Sequence, residues 1–167
     1  MEHVVLVGMM GAGKTTVGKI LSRLTTRGLV DTDVLIERSE GMDISGIIDS
    51  KGEEYFRMVE RNVVLSIDLR APLVIATGGG AVMDDEVHAF LKNIGKTVYI
   101  RASAGTLYGR TSNPSTRPLL RDGDRLETIK RLIEKREKRY LDSDVVIESD
   151  DRSPLEIANE IVRELGL

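Results

Sequence analysis

Gly8-Met9-Met10-Gly11-Ala12-Gly13-Lys14-Thr15 constrains this chain more than any other stretch. It fits G-x-x-x-x-G-K-[ST] in full. The apolar run His3–Val7 precedes it, and Val17, Ile20, Leu21 and Leu24 follow at helical spacing. Strand, glycine-rich loop and helix in that order make a phosphate cradle. The glycines let backbone N–H groups converge on anionic oxygens, and the helix N-terminus adds partial positive charge. Gly11, Ala12, Gly13, Lys14, Thr15 and Thr16 are therefore expected around the phosphates of a nucleoside triphosphate. Lys14 would reach the β- and γ-phosphates, and the Thr15 hydroxyl would hold Mg²⁺. The competing reading is a glycine-rich turn with no ligand, and the agreement of motif, strand and helix argues against it. The motif does not say what receives the phosphate.

The rest of the chain repeats the alternation. Apolar or β-branched runs at Leu29–Asp31, Leu73–Ala76, Thr97–Ile100 and Asp144–Ile147 read as strands. Helical stretches are predicted at Val34–Ser39, Ile44–Asp49, Glu53–Leu69, Asp84–Lys92 and Arg125–Tyr140, with a short one ending at Arg110. Ser153-Pro154-Leu155-Glu156 opens a final helix with a serine cap, proline at the first position and glutamate three after the cap. Strands joined by helical crossovers predict an α/β fold with a five-stranded parallel sheet flanked by helices. The whole of 1–167 is expected to be one domain. Within it, 111–124 (TSNPSTRPLLRDGD) carries two prolines and a glycine and reads as a long loop, a lid candidate.

Composition closes off several classes. There is no cysteine, which excludes disulfides and thiolate metal sites and fits a reducing cytoplasm. Net charge is -3 with no Trp and two Phe, which argues against nucleic-acid binding. No apolar run approaches the roughly 20 residues of a membrane span. The first residues carry an acidic side chain where a signal peptide carries positive charge, so no targeting segment is read.

Asp31 and Asp33 close the second strand, beside the phosphate loop in a parallel sheet. If the chain stays extended there, both carboxylates face one cleft. Alternatively, Asp33 caps a helix starting at Val34. The histidines, His3 and His88, begin a strand and sit mid-helix, so a catalytic base would be a carboxylate. Glu53 and Arg57 are i,i+4 neighbours that a surface ion pair would explain. Arg136 and Arg139 lie in a charged run that reads as a solvated helix face. Arg110 and Arg117 differ, since they flank or sit in the lid loop, and a lid arginine can meet charge developing on a transferring phosphoryl group. Finally, Thr77-Gly78-Gly79-Gly80 ends the third strand in a second glycine-rich segment. It reads as a tight strand-to-helix turn or as a second place where the backbone comes close to something.

GMMGAGKTT, DTD, GEEYFR, TGGG, R-x6-RPLL and R-x3-Y, in this order and spacing, resemble the shikimate kinase family over almost the whole chain. The resemblance implies a three-layer P-loop NTPase fold of the nucleoside monophosphate kinase kind, with a mobile lid over 111–124. It implies transfer of the γ-phosphate of ATP to the 3-hydroxyl of shikimate, on the route to chorismate and the aromatic amino acids, by a cytoplasmic monomer. It also implies roles. Asp33 would bind shikimate hydroxyls and act as base or orienter, and Asp31 would support Mg²⁺ through water. Arg57 and Arg136 would clamp the shikimate carboxylate, with the Arg–Tyr spacing favouring Arg136 over Arg139. Glu60 would hold Arg57. Gly78, Gly79 and Gly80 would line the acceptor pocket. Arg117 would reach the ATP phosphates on lid closure, with Lys14 and Asp33 as its catalytic companions. Arg110 would stack on adenine, and Arg152 with Pro154 would form the loop on its other face. A kinase for gluconate or a nucleoside monophosphate, and a silent nucleotide-binding module, are the competing readings.

Overall fold

His3–Val7 (β1), Gly28–Asp31 (β2), Leu73–Ala76 (β3), Gly95–Arg101 (β4) and Val145–Glu148 (β5) are the strands of the computed structural model, which describes residues 2–112, 120 and 123–167. They form one parallel sheet in the order β2-β3-β1-β4-β5. Every residue of β1 and β3 is buried, whereas β2 and β5 are partly exposed. Unbroken apolar runs suit strands covered on both faces, and the less apolar runs take the edges. His3, the polar exception in β1, accepts the Leu73 N–H on Nδ1 at 3.2 Å. Burial lowers its pKa, which keeps that nitrogen free to accept.

The helices are Lys14–Thr25 (α1), Thr32–Glu40 (α2), Ile44–Lys51 (α3), Glu53–Leu65 (α4), Asp85–Ile94 (α5), Ala104–Arg110 (α6), Arg125–Tyr140 (α7) and Pro154–Leu165 (α8). Most pack on the sheet around one large core. Ile36, Ile47, Phe56 and Val59 form a second, smaller cluster among α2, α3 and α4. From β1 the chain crosses to the far edge as β2, returns as β3, then passes β1 to become β4. That reversal opens a crevice at the carboxyl ends of β1, β3 and β4, the place where ligands bind in such sheets.

Three expectations need adjusting. The helix predicted over Glu53–Leu69 stops at Leu65. The Asp68 carboxylate takes the Arg70 N–H at 3.1 Å, and Pro72 forces its predecessor into extended backbone, so 66–72 turns into β3 while Ile67 still reaches the core. β4 begins at Gly95, directly after α5, because Gly95 lies flush against His3 where no Cβ fits. And α2 starts at Thr32 with Asp31, not Asp33, as its cap: the Asp31 Oδ1 accepts from Asp33 N at 3.0 Å and Val34 N at 3.4 Å. The capping box at Ser153 and Glu156 is present as predicted. Most of the expected lid, 113–119 with 121 and 122, lies outside the described residues. Its flanks are tied together, since Arg125 donates to the carbonyls of Tyr108 at 2.7 Å and Thr111 at 2.5 Å.

Candidate active site

One end of the crevice is built on the loop between β1 and α1. Gly13 caps α1 at φ 96°, a left-handed conformation that a Cβ disfavours. α1 has no capping side chain and no acidic residue in its first turn, whereas α2, α5, α7 and α8 have both. The positive field at its N-terminus is thus left for an anion. Lys14 is buried there, and its ammonium donates to the Gly8 and Met9 carbonyls at 2.7 and 2.8 Å. The Thr15 hydroxyl donates to Asp31 Oδ2 at 2.6 Å. A hydroxyl and a carboxylate suit a hard divalent cation. No cluster of three or more metal-ligating side chains exists among the described residues.

The other end of the crevice is built on the glycines after β3. Gly78, Gly79 and Gly80 all lie outside the left-handed region, so a demanding turn does not explain them. Space does. A Cβ on Gly78 would stand 2.5 Å from Glu60 Oε1 and 2.8 Å from Asp33 Oδ1, and one on Gly80 would stand 2.5 Å from the Arg57 guanidinium. The glycines leave room for the charged groups of the site itself. The Gly78 N–H donates to the buried Thr32 hydroxyl at 2.9 Å, which locks the segment to α2.

Arg57 donates to Glu60 at 2.6 Å and to Glu53 at 3.4 Å. Burial works against the Arg57 charge, but Glu60 and Glu53 outweigh it and raise the pKa. Burial also pushes the Glu60 carboxyl above its ordinary value, against the pull of Arg57 and Arg136. Arg136 is 5% exposed. One of its guanidinium nitrogens and Glu60 Oε1 have no hydrogen-bond partner among the described residues. A buried guanidinium with unused donors is a prepared site for an anionic group. Arg139 points elsewhere and pairs with Asp85. A cavity of about 600 Å³ joins the two ends, with Lys14, Asp31, Asp33, Arg57, Glu60 and Arg136 in its wall.

The shikimate kinase family profile matches residues 10–166. The chain belongs to the shikimate kinase family. It is 42% identical to the shikimate kinase of Hahella chejuensis over 98% of this chain and 86% of that one. With the shikimate kinase of Thermodesulfovibrio yellowstonii it shares 38% identity over 98% and 95% of the two chains. The structure of shikimate kinase from Acinetobacter baumannii in complex with shikimate superposes with a TM-score of 0.96 at 34% identity, covering 99% and 93% of the two chains. A gluconokinase from Sinorhizobium meliloti shares the fold alone, at TM-score 0.60 and 16% identity.

Family membership makes the chain an ATP-dependent small-molecule kinase and fits the two-ended cleft. Of the residues singled out from the sequence, Gly11–Thr16, Asp31, Asp33, Arg57, Gly78, Gly79, Gly80, Arg110, Arg136, Arg152 and Pro154 all line the one cavity. Arg117 lies outside the described residues. Arg110 reaches the carbonyls of Ala12 at 3.4 Å and Ser149 at 3.1 Å, and Arg152 reaches that of Glu148 at 3.0 Å. The solvated-face reading of Arg136 is corrected, because α7 turns that position inward. Sequence reasoning missed Thr32, hidden between two aspartates, and assigned no role to Tyr140. The i,i+4 spacing of Arg136 and Tyr140 was the available signal that they share a helix face.

Proposed function

We propose that this cleft transfers the γ-phosphoryl group of ATP to the 3-hydroxyl of shikimate, giving 3-phosphoshikimate and ADP. The observation that carries the reading is the convergence of Arg57, from α4, and Arg136, from α7, on the glycine segment of the cavity that Lys14 also lines. Two guanidiniums recruited from separate helices form a clamp for one planar carboxylate. A ring held there presents its hydroxyls to Asp33.

Asp33 orients the 3-hydroxyl and takes its proton as the oxygen bonds to the γ-phosphorus and the bridge to the β-phosphate breaks. Lys14 and the loop amides hold the phosphate oxygens. Bound by Thr15 and, through water, by Asp31, Mg²⁺ would neutralise charge on the phosphates. Arg117, which lies outside the described residues, is assigned to the same phosphates by the family resemblance. Arg110 faces adenine, with Arg152 and Pro154 on its other side. Positioning dominates in such a transfer and little base strength is needed. The reading takes 1–167 to be one domain and the enzyme to be a cytoplasmic monomer that binds neither nucleic acid nor membrane. Among the described residues, no helix is long and apolar enough to cross a membrane.

ADP release from Mg-ATP, followed with shikimate, gluconate, AMP and CMP in parallel, tests the proposal. Rapid release with shikimate alone is expected. Release with another acceptor only would overturn the assignment of the clamp.

A further inference from the structure

Tyr140 is fully buried at the last position of α7, one turn beyond Arg136. Its hydroxyl donates to the carbonyl of Gly79. The same oxygen lies 3.8 Å from the sulfur of Met9 in the phosphate loop. Its ring packs on Tyr99 of β4, with centroids 5.0 Å apart. Packing alone is satisfied by a benzene ring. A phenol in a dry interior must spend its hydroxyl on a partner, and here the partner is the middle glycine of the acceptor segment. Burial pushes the phenol above its ordinary pKa, against the pull of the adjacent Arg136 guanidinium, so it stays protonated and can donate. A Cβ on Gly79 would stand 3.5 Å from Arg136 and 3.2 Å from the Met10 N–H, so loop, clamp and phosphate cradle meet at this point.

We propose that Tyr140 is a positioning residue for acceptor recognition: its hydroxyl ties Gly79 to Arg136 and so sets the carboxylate clamp in register with the phosphate loop. The assignment rests on the acceptor reading above. Tyr140 touches neither substrate. It acts through Arg136 and Gly79, and its removal should weaken recognition of the carboxylate while leaving the nucleotide end alone.

The test is Tyr140→Phe, which keeps the ring and removes one oxygen. Steady-state rates are measured with shikimate and with its neutral methyl ester, in the same preparation. A fall of about tenfold in kcat/KM is expected for the acid, the effect of losing one buried hydrogen bond. It should be carried by KM for shikimate, with KM for ATP almost unchanged. The acid-to-ester ratio of kcat/KM should shrink by about the same factor. That ratio cancels the fraction of active enzyme, so it is readable even if the variant folds poorly. A purely structural tyrosine would lower both acceptors equally and preserve the ratio, and that result overturns the assignment. If the unaltered enzyme fails to phosphorylate shikimate, the acceptor reading itself falls, and the role of Tyr140 with it.

Discussion

Gly80 is small because Arg57 needs the room. The three atoms nearest a Cβ there all belong to the guanidinium end of a flexible side chain, the first at 2.5 Å. Arg57 can swing aside, so Gly80→Ala should fold with a stability change of about 1 kcal/mol or less. It should nonetheless raise KM for shikimate by about tenfold or more, since the displaced guanidinium loses its paired hydrogen bonds to the carboxylate. KM for ATP should barely move, and steady-state kinetics with each substrate varied in turn checks this. Gly78→Ala is the harsher change, because it strikes Glu60 Oε1 and Asp33 Oδ1 together. The triplet was visible in the sequence, but its reason was not: the neighbours that forbid a side chain come from α2 and α4, far away in the chain.

Helices α2, α3 and α4 carry Asp33, Arg57 and Glu60, and they rest on their own cluster of Ile36, Ile47, Phe56 and Val59. Ile47 is completely buried in it. Ile47→Ala should cost about 2–5 kcal/mol in urea unfolding. In the molecules that remain folded, KM for shikimate should rise more than KM for ATP, because the cluster lies beneath the helices that carry Asp33, Arg57 and Glu60. On the other flank, Asp144 tethers β5 to β4 by accepting from Thr97 N at 2.8 Å and Thr97 Oγ1 at 2.7 Å. Burial opposes its charge most, yet the Thr97 hydrogen bonds together outweigh it and hold the carboxyl below its ordinary 3.8. A carboxyl depressed in the folded state stabilises above its unfolded pKa, and that contribution is lost as pH falls through the folded value. Asp144→Asn should therefore melt below the parent at neutral pH, with the gap closing below pH 3.8. Thermal unfolding across a pH series checks this. The order of these elements was legible, because hydrophobic period and turn residues are local. Their ends were less so: the helix expected to start at Val34 starts at Thr32, and Asp31 takes the cap that one of two readings gave to Asp33.

The sheet order brings the carboxyl ends of β1 and β3 side by side, so segments 70 residues apart share one crevice. Under the proposed function both substrates bind the folded chain across that crevice and should stabilise it. Mg-ATP or shikimate at a hundredfold over its Kd adds about 2.7 kcal/mol, a rise of roughly 5–10 °C in Tm for a chain of this size. Thermal melts with each ligand are the measurement. In Arg57→Ala the shift with shikimate should shrink and the shift with Mg-ATP should persist.

The phosphate loop, the β-α alternation and the motif order could all be read from neighbouring residues. Each depends on short-range backbone geometry: glycines before a helix, apolar period, caps. Arg136 could not be read that way. A charged run such as Lys130–Arg139 reads as a solvated face, and only the docking of α7 beside the glycine segment buries Arg136 while Arg139 meets Asp85 on the surface. The same holds for Tyr140 and Thr32, whose hydroxyls find partners 61 and 46 residues away. Long-range packing assigned those partners, because burial without a hydrogen bond costs a polar group more than the chain can spare.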